Sequence, residues 1–348
     1  MIYNYNLHDV VKVQTNTPNL SNYLTEYFLT EEESKKPDLV INVTDHKDFD
    51  VQKDGFEKHD HWFYGINGGK FVYYEDTIFG MKDKVFLKDI DGKTTITMTT
   101  GTLKIDNYIV PRSRGSISDL INIIIDLKIL SAGLVTIHAA CLSKNNSAII
   151  LSAFPNVGKT LCTLQLLQNG FKYLSDDTLM VDTKGKAYAH PFISTIGYYD
   201  FLRFIKPEDI GSRKYYKALL KGWAMKKSKI IERLLEPPKV DLLSIKGNEW
   251  VRSSKVEVAC SLKIGDRSVR RIEKEELTRK ILAINEYSMP RITKNPFLCV
   301  YAYFNDFNFE EARRKEEENI ISFLDNCECF ELASNDFDWI SRVEEVMD

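Results

Sequence analysis

The stretch from Ala148 to Gly170 constrains this chain most. Ala148 to Leu151 is a short continuous apolar run of the kind that forms a buried strand, and Leu161, Leu164 and Leu167 recur at helical spacing before Gly170, a helix stop. Between them lies Ala153-Phe154-Pro155-Asn156-Val157-Gly158-Lys159-Thr160. A strand ending in a tight loop before a helix aims several backbone N–H groups at one spot, where the helix N-terminus adds partial positive charge. Such a place holds an anion. Gly158 lets the backbone approach, Lys159 can reach the β- and γ-phosphates of a nucleotide, and Thr160 can ligate magnesium. A bare Gly-Lys-Thr arises often in ordinary turns; the order of strand, loop, helix, stop and second strand favours phosphate. The loop residues Ala153, Asn156, Val157, Gly158, Lys159 and Thr160, with Leu161 after them, are the nucleotide-contacting candidates.

The flanks extend the pattern. Ala139 to Leu142 reads as a strand turning through Lys144-Asn145-Asn146 into the loop strand, and Phe171 to Leu174 reads as another that could neighbour the loop strand. The latter delivers Asp176 and Asp177. One carboxylate can hold magnesium and the other accept a proton from an attacking hydroxyl, and the sequence leaves open which does which. Solvation of both in a turn is the competing reading. Leu179–Val181 and Lys186–Tyr188 flank Thr183-Lys184-Gly185 as a hairpin.

Upstream, the chain carries short β-rich segments. Trp62-Phe63-Tyr64 leads through Asn67-Gly68-Gly69 to Phe71–Tyr74, and Val85–Leu87 leads through Asp91-Gly92 to Thr95–Met98, both hairpin patterns. Leu20, Tyr23, Leu24 and Phe28 have the spacing of a helical face. Pro111–Ser116 breaks the strand pattern and offers Ser116 as an N-cap for a buried amphipathic helix running into a strand by Ile137. These signals predict a β-rich domain over 1–112 and a nucleotide-binding domain over 113–348. Farther on, Val256–Ile264 and Phe297–Phe304 read as buried strands, and Glu310–Phe323 and Trp339–Val346 as helices.

The ordered set His138-Ala139-Ala140, Gly158-Lys159-Thr160, Asn169-Gly170-Phe171 and Leu174-Ser175-Asp176-Asp177 resembles the nucleotide-binding core of the HPr kinase/phosphorylase-like family, relatives of ATP-dependent phosphoenolpyruvate carboxykinase. The resemblance covers roughly residues 117 to 200. It implies a phosphoenolpyruvate carboxykinase-like P-loop kinase core, which with the small β-rich N-terminal domain read from the hairpin patterns gives an α/β (α+β) chain. It also implies ATP, Mg²⁺ and phosphoryl transfer to a hydroxyl. By it, His138 lies near the phosphates, Lys159 and Thr160 hold phosphate and metal, and Asp176 and Asp177 supply metal-binding and base functions. Ala153, Pro155 and Asn156 stand where the HPr enzymes have Gly, Ser and Gly, which points to a divergent member with another acceptor.

The expected acceptor is a hydroxyl of a protein, a peptide or a small molecule, with a serine favoured. The alternatives are a nucleotide-binding scaffold without efficient chemistry and, more remotely, carboxykinase-like metabolism. With a formal net charge of −3, the chain offers no global attraction to nucleic acid or to an anionic membrane, and neither is an expected partner. A homo-oligomer is left open. Six scattered cysteines in apolar runs and an N-terminus without a secretory pattern suit a reducing cytoplasm. His59-Asp60-His61 and Cys327-Glu328-Cys329 are short of metal ligands. His190 sits where the chain could return over a nucleotide or simply turn, and Arg203 is a weak candidate for the transferred phosphate. A basic block runs from Lys206 to Glu236, with Leu219, Leu220, Trp223 and Met225 interleaved. It reads as a solvated face or as a docking helix for an acidic peptide or a phosphate-bearing substrate.

Overall fold

The computed structural model describes residues 1–347 apart from 22, 33–35, 50, 52, 54, 66–68, 192, 197 and 229–238. The chain is mixed α/β with two large mixed sheets. It divides into two compact units, Met1–Gly133 with Met289–Glu316, and Leu134–Ser288 with Glu317–Asp348. This division differs from the sequence boundary at 112/113. Pro111–Ser116 is tied into the first unit, where the buried Arg114 guanidinium pairs with Asp83 and Asp106, each at 2.8 Å.

The first unit is built on strands β1 (Tyr3–Leu7), β2 (Val11–Thr15), β3 (Leu29–Thr30), β4 (Leu39–Thr44), β5 (Glu57–His59), β6 (Trp62–Gly65), β7 (Phe71–Ile78), β8 (Met81–Lys88) and β9 (Thr94–Thr99). They form one sheet in the order β3-β1-β2-β4-β9-β8-β7-β6-β5. The expected pairs β6–β7 and β8–β9 are antiparallel. In the first of these turns, Asn67 and Gly68 lie outside the described residues. Helices α1 (Thr100–Tyr108) and α2 (Ile117–Ser131) follow, and the Ser116 hydroxyl caps α2 by accepting from the Asp119 N–H. Where a helix is expected around Leu20 to Phe28, the described residues form only a 3₁₀ turn at Glu26–Phe28. The four apolar residues are buried all the same. The spacing marked buried positions and not a helix.

The second unit begins with β10 (Leu134–Ile137), β11 (Ala140–Lys144) and β12 (Ser147–Ser152), continues through α3 (Lys159–Gln168) to β13 (Lys172–Ser175), and then forms β14 (Leu179–Asp182), β15 (Lys186–Tyr188) and β16 (Ile193–Thr195). Helix α4 (Tyr198–Phe204) precedes the basic block, and α5 (Pro207–Ile210) and α6 (Ser212–Lys227) lie within its described part; its residues 229–236 lie outside the described residues. After them come β17 (Lys239–Asp241), β18 (Ser253–Ile264), β19 (Ser268–Arg271) and α7 (Lys274–Ser288). The chain then enters the first unit as α8 (Pro296–Asn305), continues through α9 (Phe309–Leu324) and closes with β20 (Glu328–Ser334) and α10 (Ile340–Met347). The strand expected over Phe297–Phe304 is therefore a helix. Asn295 caps it by accepting from the Leu298 N–H, and Pro296 occupies its first position, a start signal that an unbroken apolar run conceals.

Sheet order in the second unit runs β10-β14-β15-β18-β12-β11-β13, with β20 beside β18 and β19 beside β20. The loop strand β12 pairs with β11 and β18, so β13 is its next neighbour but one, not the adjacent strand expected. Because β11 is antiparallel to both β12 and β13, those two run the same way and end on the same sheet edge, where β11 begins. That topology brings His138, the phosphate loop and the Asp pair to one place. Ligand sites in α/β sheets form at such carboxyl ends.

Candidate functional site

The loop is held from behind. Ala153, 1 % exposed, packs into the same apolar cluster as Leu151, Leu164, Leu167 and Trp339. Asn156 adopts φ 66°, the left-handed region that asparagine tolerates better than most residues. Gly158 caps α3 with φ 105°, and a side chain there would place its Cβ 2.8 Å from Trp339 Nε1 and 3.1 Å from a Phe337 ring carbon. The Gln165 amide of α3 also donates to the Phe337 carbonyl at 3.1 Å. The C-terminal segment thus packs directly against the turn that would cradle phosphate. Gly158 is thus the loop position where both backbone angle and close packing require glycine, whereas Ala153 is accommodated in the apolar cluster and Asn156 in the left-handed region.

Lys159 occupies the first position of α3, and no acid lies in that first turn. A cation at a helix N-terminus opposes the helix dipole, an arrangement that a bound anion would relieve. Its ammonium donates to His138 Nε2 at 3.1 Å and to Asp177 Oδ1 at 3.2 Å, and His138 Nε2 lies 3.3 Å from the same Asp177 oxygen. Burial, reinforced by the Lys159 charge, pushes the His138 imidazole down to about 4 despite Asp177. The ring is neutral at pH 7 and accepts through Nε2. For Asp177, burial pushes the carboxyl upward, but Lys159, His138 and His190 together outweigh it and hold it below its usual range. Lys159 and His138 side chains are nearly buried, while that of Asp177 is about half exposed (48 %).

Asp176 has different company. Its two oxygens accept from the Thr160 hydroxyl at 3.0 Å and the Thr163 hydroxyl at 2.7 Å. The Thr160 hydroxyl and the Asp176 carboxylate are the oxygen groups that would hold a magnesium ion here, and it would neutralise phosphate charge. One protein carboxylate is the usual complement for such a site, and no group of three or more His, Cys, Asp or Glu gathers to hold a metal among the described residues. His59-Asp60-His61, at the β5–β6 turn, and Cys327-Glu328-Cys329, at the start of β20, fall under that statement.

The structure brings His138, Lys159, Thr160, Asp176 and Asp177 together, with Ala153, Asn156, Val157, Gly158 and Leu161 forming or backing the loop. It adds His190, fully buried and close enough to act on Asp177. Arg203 is not part of this group; its exposed guanidinium lies over the Phe204 ring on α4. Four contributors went unread in the sequence. Asn285 on α7 accepts from the His138 N–H at 2.8 Å and so fixes that corner of the chain. Thr163 sits one turn beyond Thr160, a spacing that could have flagged it. Trp339 and Phe337 back the loop from a distance no local pattern reveals. Beside the loop, exposed Phe154 packs edge-on against exposed Tyr287 of α7, ring centroids 5.6 Å apart.

No protein-family model matches this chain, and no curated protein matches it. Among solved structures, the chain is similar to the HPr(Ser) kinase/phosphatase from Coxiella burnetii, at 14 % identity over 44 % of this chain and 95 % of that one, with a TM-score of 0.24. A likeness at that TM-score carries no conclusion about the reaction, which has to be read from the site itself.

Proposed function

We propose that this chain is an ATP- and Mg²⁺-dependent kinase with a phosphoenolpyruvate carboxykinase-like P-loop core, transferring the γ-phosphoryl group to a hydroxyl, with a serine of a protein or peptide as the favoured acceptor. The observation that carries the reading is the division of labour between adjacent carboxylates: Asp176 is paired with Thr160, and Asp177 with Lys159 and His138. A site that only holds a nucleotide needs the first pairing and has little use for the second. Magnesium bound by Thr160 and Asp176 would neutralise charge on the phosphates. Lys159, drawn onto the γ-phosphate, would leave Asp177 free to accept the acceptor's proton as its oxygen forms the new P–O bond and the bond to the β-phosphate oxygen breaks, releasing ADP. Loss of the Lys159 contact raises the proton affinity of Asp177 at the moment a base is required. Neutral His138 holds the Lys159–Asp177 geometry.

The test is incubation of the purified chain with γ-labelled ATP, magnesium and candidate acceptor proteins and peptides. Transfer is expected, reduced about 10²- to 10⁴-fold in Asp177→Asn with ATP binding retained, the range for loss of a general base. Lys159→Ala is expected to lose both. ATP binding with no transfer to any acceptor would instead support a nucleotide-binding scaffold.

A further inference from the structure

We propose that α6 is a docking helix for an acidic segment of another protein that carries apolar side chains. The helix Ser212–Lys227 holds Arg213, Lys214, Lys217, Lys221, Lys226 and Lys227 and not one acidic residue. Its inner face is accounted for: Tyr215, Ala218 and Leu219 pack on the apolar cluster of the second unit, Tyr215 lies 5.2 Å from the Phe201 ring, and Gly222 is buried. The outer face is not what a solvated helix requires. Tyr216, Leu220 and Trp223 are 61 %, 66 % and 49 % exposed. At 100° per residue they fall within about 60° of one another, forming a single stripe.

Beside that stripe the exposed Arg213 and Lys217 line one flank, and the exposed Lys227 stands one turn beyond Trp223 at its end. A helix selected for solubility alone would place polar groups where Tyr216, Leu220 and Trp223 stand. Tyrosine, tryptophan and arginine are the residues that anchor protein interfaces, and a helix that carries cations and no acid of its own favours a partner of opposite sign. Three apolar residues make a narrow stripe, enough for a few anchoring side chains of a peptide and small for a helix lying in a bilayer. The inference holds whether or not the loop transfers phosphate.

The probe is a fluorescent peptide of about 15 residues, roughly four helical turns, with leucine and phenylalanine spaced along a glutamate-rich sequence. The full chain is titrated against it by anisotropy, beside a peptide of equal charge without apolar residues and vesicles of phosphatidylcholine with one-third phosphatidylserine. Saturable binding of the first peptide is expected. It should weaken about tenfold or more in Leu220→Ser/Trp223→Ala, and again in Arg213→Glu/Lys217→Glu, and fall as salt rises from about 0.05 to about 0.5 M. Both pairs are exposed, so unchanged thermal unfolding is expected to accompany the loss. Absence of saturable binding, equal binding by either variant pair, or binding to the vesicles in preference to the peptide would overturn the proposal.

Discussion

Gly158 is the residue on which the loop turns. It combines a left-handed backbone with the close approach of Trp339 and Phe337, so Gly158→Ala meets two obstacles: about 1–2 kcal/mol for the backbone alone, and a contact that forces the indole away. Triphosphate binding by this variant is expected to fall about tenfold or more, measured by calorimetry with Mg-ATP, while far-UV circular dichroism stays native. Asn156→Ala, at φ 66°, should lose less, because alanine adds no atom that asparagine lacks and only asparagine's better tolerance of the left-handed region is given up. Next to these, Asp176 and Asp177 show what residue chemistry leaves undecided. Two adjacent aspartates are equivalent on paper; here one faces threonine hydroxyls and the other an ammonium and an imidazole.

At the scale of elements, the strands, loop and helix from β11 to α3 were legible because each piece carries its own local signal. The continuous apolar run of β12, the Asn145-Asn146 turn with both residues left-handed, the apolar face of α3 and the Gly170 stop act within a few residues of one another. Phe297–Phe304 was misread because an unbroken apolar run suits either a strand or a buried helix, and the cap at Asn295 decides it. The α7 contribution through Asn285 was invisible, since it depends on a contact with His138 across 147 positions. Elements β18, β19, β20 and α7 meet at Glu331, a buried carboxylate that accepts from Lys263 at 2.7 Å, from Arg270 at 3.2 Å and from Lys280. Burial pushes its carboxyl upward, but those three donors prevail and bring it down to about 2. Glu331→Ala is expected to cost about 3 kcal/mol in chemical denaturation, the low end for a broken buried ion pair because the cations reach water. Since the folded value is depressed, this stabilisation is complete above the ordinary glutamate range and fades as pH falls toward about 2.

For the whole molecule, acid stability should report the site. His138 is held down to about 4 against an ordinary value near 6.5, so the folded chain binds fewer protons than the unfolded one between those limits. Its contribution is present above about pH 6.5 and is lost as pH falls through about 4, on the order of 3 kcal/mol across the window. Thermal unfolding from pH 7 to 4 should therefore fall less steeply in His138→Phe than in the wild type. No helix among the described residues is long and apolar enough to cross a membrane. By itself, the sequence determined the local pieces: the loop, its strand and helix, the pair of aspartates, the hairpins of the first unit and the Ser116 cap, because periodicity, turn chemistry and capping act over a few neighbouring residues. Tertiary structure decided that β11 separates the loop strand from the strand bearing the aspartates, that residues 289–316 belong with the first unit, and that Trp339 backs Gly158. It also decided that Asp176 and Asp177 face different partners. Those outcomes depend on strand order and on packing between residues far apart in the chain, which minimise buried unpaired polar groups and voids over the whole fold and leave no trace in any short window of sequence.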